Sequence, residues 1–242
     1  GGGINLFDLK NPGHTLQILS EETIQGTLIN FVGSLTFDSI NNGMWIGTNQ
    51  GLYFYDLPHA KFVSPLPDRT AENIHGCIGA IIDKKGKLWI GCMEGAYVID
   101  LHSRSSKGEF RFEHLNYKLD DPNSRLIEKI TCFYEAKDGT LWLGSNGYGI
   151  YRQTTDTTGK RQFIAYTTAQ GLANNSIRGI LESDNGDIWI STNNGLSCYR
   201  PKENHFTNYT QQDGLANTQF YWNASYRSSD NILYFGSVTG LM

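Results

Sequence analysis

The chain has 242 residues, enough for one large domain or two small ones, and a formal net charge of −4 with a pI near 5.9. It therefore has no basic footprint for nucleic acid, and no run of 18 apolar residues offers a membrane span. Charged residues are only 18% while aromatics reach 12%, with 27 glycines against six prolines; short aromatic strands joined by glycine turns fit this balance, and a helical bundle does not. No basic n-region followed by an apolar h-region opens the chain, so a signal peptide is expected to be absent or already removed, which leaves the compartment undecided.

In chain order, the opening GGGINLFDL reads as a strand that TLQILS follows with a second. Then a phrase begins to recur. It appears as MWIGTNQGLYFYDL from Met44, KLWIGCMEGAYVIDL from Lys87, TLWLGSNGYGIYR from Thr140 and DIWISTNNGLSCYR from Asp187, and in altered form as ILYFGSVTGL from Ile232. The aromatic anchors Trp45, Trp89, Trp142, Trp189 and Tyr234 are 44, 53, 47 and 45 residues apart, the spacing of propeller blades. Two residues after each anchor stand Gly47, Gly91, Gly144, Ser191 and Gly236, followed by Thr48, Cys92, Ser145, Thr192 and Ser237. Such small residues fit inner strands crowded near an axis.

The fourth full unit divides into four strands: 177–183, 188–192, 195–200 and 205–210. Asp184-Asn-Gly-Asp187 supplies a hairpin turn between the first two. Four antiparallel strands per repeat predict an all-β fold, a β-propeller of four full four-stranded blades plus two half blades. The expected division is a rear half blade over 1–24, blades over 25–66, 67–122, 123–170 and 171–213, and the front half of a closing blade over 214–242. The half blades leave two pictures open, an arc of a larger propeller or a composite fifth blade.

No catalytic or metal constellation stands out. The four cysteines fall in repeat columns filled elsewhere by inert residues and include no CxxC pair, so they read as buried thiols. The histidines at 14, 59, 75, 102, 114 and 205 match no metal spacing. The carboxylates Glu94, Asp120, Asp121 and Asp213 sit in turns or crossovers, and sequence does not pair them as a glycosidase would. Binding is easier to support. Second-to-third-strand turns and blade crossovers are expected on one face, which would present Asn49, Gln50, Glu94, Asn146, Tyr148, Asn193 and Asn194, with Arg178 and Gln219 near first-strand entries. Amide, carboxylate and aromatic groups of this kind suit sugar hydroxyls and ring faces, and loops on rigid scaffolds commonly carry function. Asn-Gly turns also need asparagine for backbone reasons alone. Trp222 reads either as an aromatic platform or as core of the closing blade, with core the favoured reading.

LWIGC…GAYVIDL, LWLGS…GYGIYR and DIWIST…GLSCYRP, with the linkers DDPNSR (120–125) and GLANNS (171–176), resemble the two-component regulator propeller repeats of hybrid sensor histidine kinases in glycan-degrading Gram-negative bacteria. QFYWNASYRSSDNILYFGSVTGL is similar to that family's closing blade. Ser191 in the glycine column, the lengthened SNGYG turn at 145–149 and Tyr234 in place of tryptophan depart from the pattern. The resemblance implies an input segment in the periplasm, drawn from tandem seven-bladed propellers and homodimeric in the intact sensor. It implies an oligosaccharide ligand, no cofactor, no metal, no membrane contact by this segment and no kinase within it. A propeller hydrolase or lyase and a pure interaction scaffold are the rival readings.

Overall fold

The structure is a computed structural model that describes residues 4–7, 15–19, 31–67, 74–115 and 129–241. The DDPNSR linker, His14, Asp120 and Asp121 lie outside the described residues. The described chain is a succession of antiparallel sheets whose strands follow one another in sequence order. β1 (Ile4–Phe7) pairs with β2 (Thr15–Leu19). A first four-stranded sheet holds β3 (Val32–Asp38), β4 (Gly43–Thr48), β5 (Leu52–Asp56) and β6 (Lys61–Val63). A second holds β7 (Gly79–Ile82), β8 (Lys87–Cys92), β9 (Gly95–Asp100) and β10 (Arg111–Leu115). A third holds β11 (Ile130–Glu135), β12 (Leu141–Ser145), β13 (Ile150–Thr155) and β14 (Arg161–Tyr166). A fourth holds β15 (Ile177–Glu182), β16 (Ile188–Thr192), β17 (Leu196–Arg200) and β18 (His205–Tyr209). The last sheet has three strands, β19 (Phe220–Arg227), β20 (Leu233–Ser237) and β21 (Gly240–Leu241). These are the blades of a β-propeller, four of them with four strands, as the repeat predicts. In the fourth blade the predicted strand limits agree with the observed ones to within a residue.

The chain forms two compact units, Gly1–Cys92 with Tyr97–Glu113, and Met93–Ala96 with His114–Met242. In the first, Trp45 packs on Phe54 and Phe110, with ring centroids 4.9 and 5.1 Å away. The buried indoles need partners for their N–H groups, because an unmatched buried donor costs ~1–3 kcal/mol. Asp38 Oδ2 accepts from Trp45 Nε1 at 3.1 Å, and Asp83 Oδ2 from Trp89 Nε1 at 2.9 Å. The first-strand end thus satisfies the second-strand anchor in both blades. In the second unit Ala136 and Ser183 stand at the corresponding positions, and the core is built instead from Trp142, Tyr166, Tyr199 and Phe206. The Tyr166 and Tyr199 hydroxyls there lie 3.1 Å apart.

The small-residue column follows from cross-strand packing. Gly144 faces Cys132, and a Cβ on Gly144 would fall 2.4 Å from that thiol and 2.6 Å from Ile177 of the next blade. Ser191 faces Gly179, so the larger side chain has moved to the other strand of the pair. The departure at Ser191 is thereby compensated. Tyr199 and Phe206, from the third and fourth strands of their blade, fill the space facing the preceding blade. Between the last two blades an apolar cavity of about 400 Å³ remains, lined by Trp189, Leu196, Leu215, Phe220, Leu233 and Phe235.

Candidate ligand-binding face

The column after the glycines is a set of turn clamps. Thr48 Oγ1 donates to the Gly51 carbonyl at 2.9 Å and accepts from the Gln50 N–H at 3.1 Å. Thr192 does the same with Gly195 (2.7 Å) and Asn194 (3.1 Å), and Ser237 with Gly240 (2.9 Å) and Thr239 (3.3 Å). In the lengthened turn Ser145 Oγ donates to Gly149 and accepts from the Tyr148 N–H. These hydroxyls hold the turns that carry Gln50, Tyr148 and Asn194.

Backbone bonds then tie each turn to strand entries. In the first unit the Asn49 N–H donates to the Phe31 carbonyl, and the Asn49 carbonyl accepts from Gly76, next to exposed His75. In the second, Asn146 N–H bonds to Lys129, Gly147 and Gly149 bond to the Asn175 carbonyl, Asn193 bonds to Ser176, and Gly195 bonds to Thr218. Turns and crossovers of each unit therefore share a face. The echoing crossovers TTAQGLANNS and TQQDGLANTQ each open with a single 3-10 turn, Thr168–Gln170 and Gln211–Asp213. Reciprocal caps close them, Thr167 with Gln170 and Thr210 with Asp213. This spends the Asp213 carboxylate on structure.

Arg178 is placed by a bulge. In β15, Ile177 faces Thr192 and Gly179 faces Ser191, so Arg178 is left out of the ladder, which re-aims its side chain. The same irregularity leaves Gly33 out in β3 and Thr131 in β11, and a longer one releases residues 221–224 in β19. Trp222 sits on that last segment. Its ring lies 3.5 Å from the Arg178 guanidinium carbon, and it is 37% exposed rather than core, because the unpaired segment carries it off the ladder. Arg178 itself is 9% exposed. One guanidinium nitrogen (Nη2) donates to Asn193 Oδ1 at 3.1 Å, while the other (Nη1) is buried without a hydrogen-bond partner. Burial lowers the pKa of Arg178, opposed only by the charge interaction with Cys132.

The structure thus brings together Arg178 and Asn193, adds Trp222, and sets Asn194 on a turn bonded to Ser176 and Thr218, with Gln219 next to Thr218 at the β19 entry, where its carbonyl accepts from Val238. A second group forms around Tyr148, whose ring lies 5.9 Å from Lys129 Nζ, with Asn146 bonded to the Lys129 carbonyl. Glu94 lies beside His114, whose pKa is lowered by burial against the opposing pull of Glu94. Asn49 and Gln50 belong to the first unit, where the Gln50 Oε1 is buried without a partner. Sequence reasoning missed the Trp222 contact and the Arg178 bulge. An arginine at the entry of an inner strand, where the other blades have Gly33 and Thr131, was the available signal. All four cysteines are free and buried, and burial pushes the Cys132 thiol up to about 12 and Cys198 to about 11.

The sequence profile of the two-component regulator propeller family matches residues 126–147 and 171–194. A histidine kinase of Formosa agariphila is 27% identical over 163 residues, 66% of this chain and 11% of that protein. The extracellular domain of a hybrid two component system from B. thetaiotaomicron is 25% identical with a TM-score of 0.51, over all of this chain and 36% of that one. Virginiamycin B lyase from Staphylococcus aureus, solved with quinupristin, shares the fold at 17% identity and a TM-score of 0.61, over 97% of this chain and 70% of the lyase. No helix among the described residues is long and apolar enough to cross a membrane. Residues 126–147 and 171–194 thus match two-component regulator propeller repeats, and the blades are similar to part of the extracellular region of a hybrid two component system.

Proposed function

We propose that this chain is a ligand-sensing propeller segment on the periplasmic side of a hybrid two-component sensor. It recognises oligosaccharide, has no enzymatic activity of its own and passes the signal to a kinase outside these 242 residues, in a sensor that acts as a homodimer. The supporting observation is the clustering of polar turns with strand entries, where hydroxyl clamps and inter-blade backbone bonds hold amide, guanidinium and aromatic groups rigid. Rigid placement matters because ordering side chains on binding costs ~0.5–1.5 kcal/mol each. Asn49, Gln50, Glu94, Asn146, Tyr148, Arg178, Asn193, Asn194 and Gln219 are the residues proposed to face the ligand. The likeness to a lyase is one of fold, which hosts unrelated chemistries.

Titration calorimetry with a panel of neutral and acidic oligosaccharides tests this reading, alongside product analysis of the same mixtures. Saturable binding without turnover, weakened by alanine at both Asn193 and Asn194, is the expected result. Turnover would replace it with the enzymatic reading, and a panel without any binding would favour an interaction scaffold.

A further inference from the structure

We infer that Arg178, Asn193 and Trp222 form a subsite for an oxyanion carried by the ligand, a carboxylate or sulfate on a sugar. This deepens the oligosaccharide reading and rests on it.

The argument begins with an unbalanced cation. Arg178 is buried, yet among the described residues it takes part in no ion pair, and burial lowers its pKa. Its hydrogen-bond partner among the described residues is a neutral amide oxygen, at Asn193. Nη1 has none among them, although it is buried. Other arginines differ: Arg104 meets Asp56 at 2.7 Å, and Arg227 meets both Asp184 and Asn231. Guanidinium is a planar fork of five N–H donors that suits carboxylate or sulfate, so an unused edge is a vacant half of a two-pronged contact. Asn193, exposed on its turn, also carries an amide N–H₂ on the side chain whose Oδ1 meets Nη2.

Trp222 governs access. Its indole covers the guanidinium at 3.5 Å, a cation–π contact that holds the fork flat. The indole rides on residues 221–224, outside the pairing between Phe220↔Ser237 and Ser225↔Phe235. It can therefore turn aside without breaking a ladder hydrogen bond, and the oxyanion then reaches Nη1. The bulge that frees Arg178 recurs in β3 and β11, whereas the one that frees Trp222 is longer, and the side chains they release meet at one place.

The test uses the 242-residue chain and four probes: digalacturonate, a neutral digalactoside, a galactose 6-sulfate disaccharide and sodium sulfate. Binding is read by calorimetry and by tryptophan fluorescence, with thermal melts to confirm that variants fold. Digalacturonate or the sulfated disaccharide is expected to bind at least tenfold more tightly than the neutral disaccharide, and the better of the two identifies the oxyanion. R178Q should abolish that preference while leaving the melt within a few degrees. R178K, which keeps the charge without the fork, should retain only part of it. N193A should weaken the acidic probe several-fold, and W222A should remove the fluorescence change while sparing the preference.

Equal affinity for acidic and neutral probes, or a preference that survives in folded R178Q, overturns the subsite but leaves oligosaccharide sensing standing. Absence of binding by every acidic probe overturns the subsite as well. Tight binding of sodium sulfate alone would show an anion site without sugar recognition, and it would count against the oligosaccharide reading.

Discussion

At the scale of single residues, Thr192 shows how one hydroxyl does two jobs. It is fully buried, and it both donates to Gly195 and accepts from Asn194. Thr192→Val keeps the shape but removes one of the two donors to the Gly195 carbonyl, which keeps the Thr192 N–H, and leaves the Asn194 N–H without its acceptor. We expect a loss of ~1–3 kcal/mol in urea denaturation, together with weaker binding at the Asn193–Asn194 turn if that turn faces ligand as proposed. Asp56 is a different case. Burial would raise its pKa, but Arg104 and His59 win, and the carboxyl falls to about 2. A depressed carboxyl contributes stability that is present above its unfolded value near 3.8 and is lost as pH falls through about 2. Asp56→Asn should therefore flatten the loss of stability between about pH 4 and 2, which acid titration followed by circular dichroism would show. The sequence showed the hydroxyl column plainly, because the phrase repeats. It did not show that the hydroxyls clamp turns, since small size alone accounts for Thr, Ser and Cys at a crowded site. Nor could it place Trp222, because a stack across two blades depends on packing between strands distant in sequence.

At the scale of strands and turns, the repeat was legible because each blade sets an aromatic ring on its second strand with small neighbours beside it, a ring fully buried at Trp45, Trp89 and Trp142. Bulges were not legible. The residues they free are Gly33, Thr131 and Arg178, which share no chemistry, since each answers to its own neighbours: the Cys77 carbonyl at Gly33, the Gly144 and Ile177 carbonyls at Thr131, and Asn193 and Trp222 at Arg178. The short capped turns in the crossovers could have been read from T-x-x-Q and T-x-x-D, the spacing of reciprocal caps. The lengthened SNGYG turn owes its form to Gly149, whose φ is +86° and where a Cβ would fall 2.1 Å from the Tyr166 carbonyl. Gly149→Ala is strained on both counts and should cost about 2 kcal/mol or more, read as a shift in the denaturation midpoint. Gly147→Ala, with a similar φ but open space around it, should cost only about half as much.

At the scale of the whole molecule, each unit is held by its own core, and the second is also laced at the end of the first strands away from the bulges. Glu182 Oε2 accepts the Lys137 N–H at 2.8 Å, and the Glu182 carbonyl accepts from Arg227 at 3.0 Å, so one residue links three successive blades. Asp184 pairs with the same two cations from a more exposed position. Glu182→Ala should lower the stability of this unit by ~1–3 kcal/mol, because a part-buried N–H loses its charged acceptor. Asp184→Asn should change it by no more than ~1 kcal/mol. Calorimetric melts of the two variants would separate these cases. Among the unladdered residues, Gly33 is pinned by the Cys77 carbonyl and the buried Thr131 hydroxyl bonds the Gly144 and Ile177 carbonyls, so stability is vested in them as in the indoles, clamps and lacing. Arg178 has no such duty, and on the sugar-sensing reading proposed above it is the position where a lineage could exchange one ligand for another by single substitutions, retargeting the molecule while its melting temperature stays nearly constant.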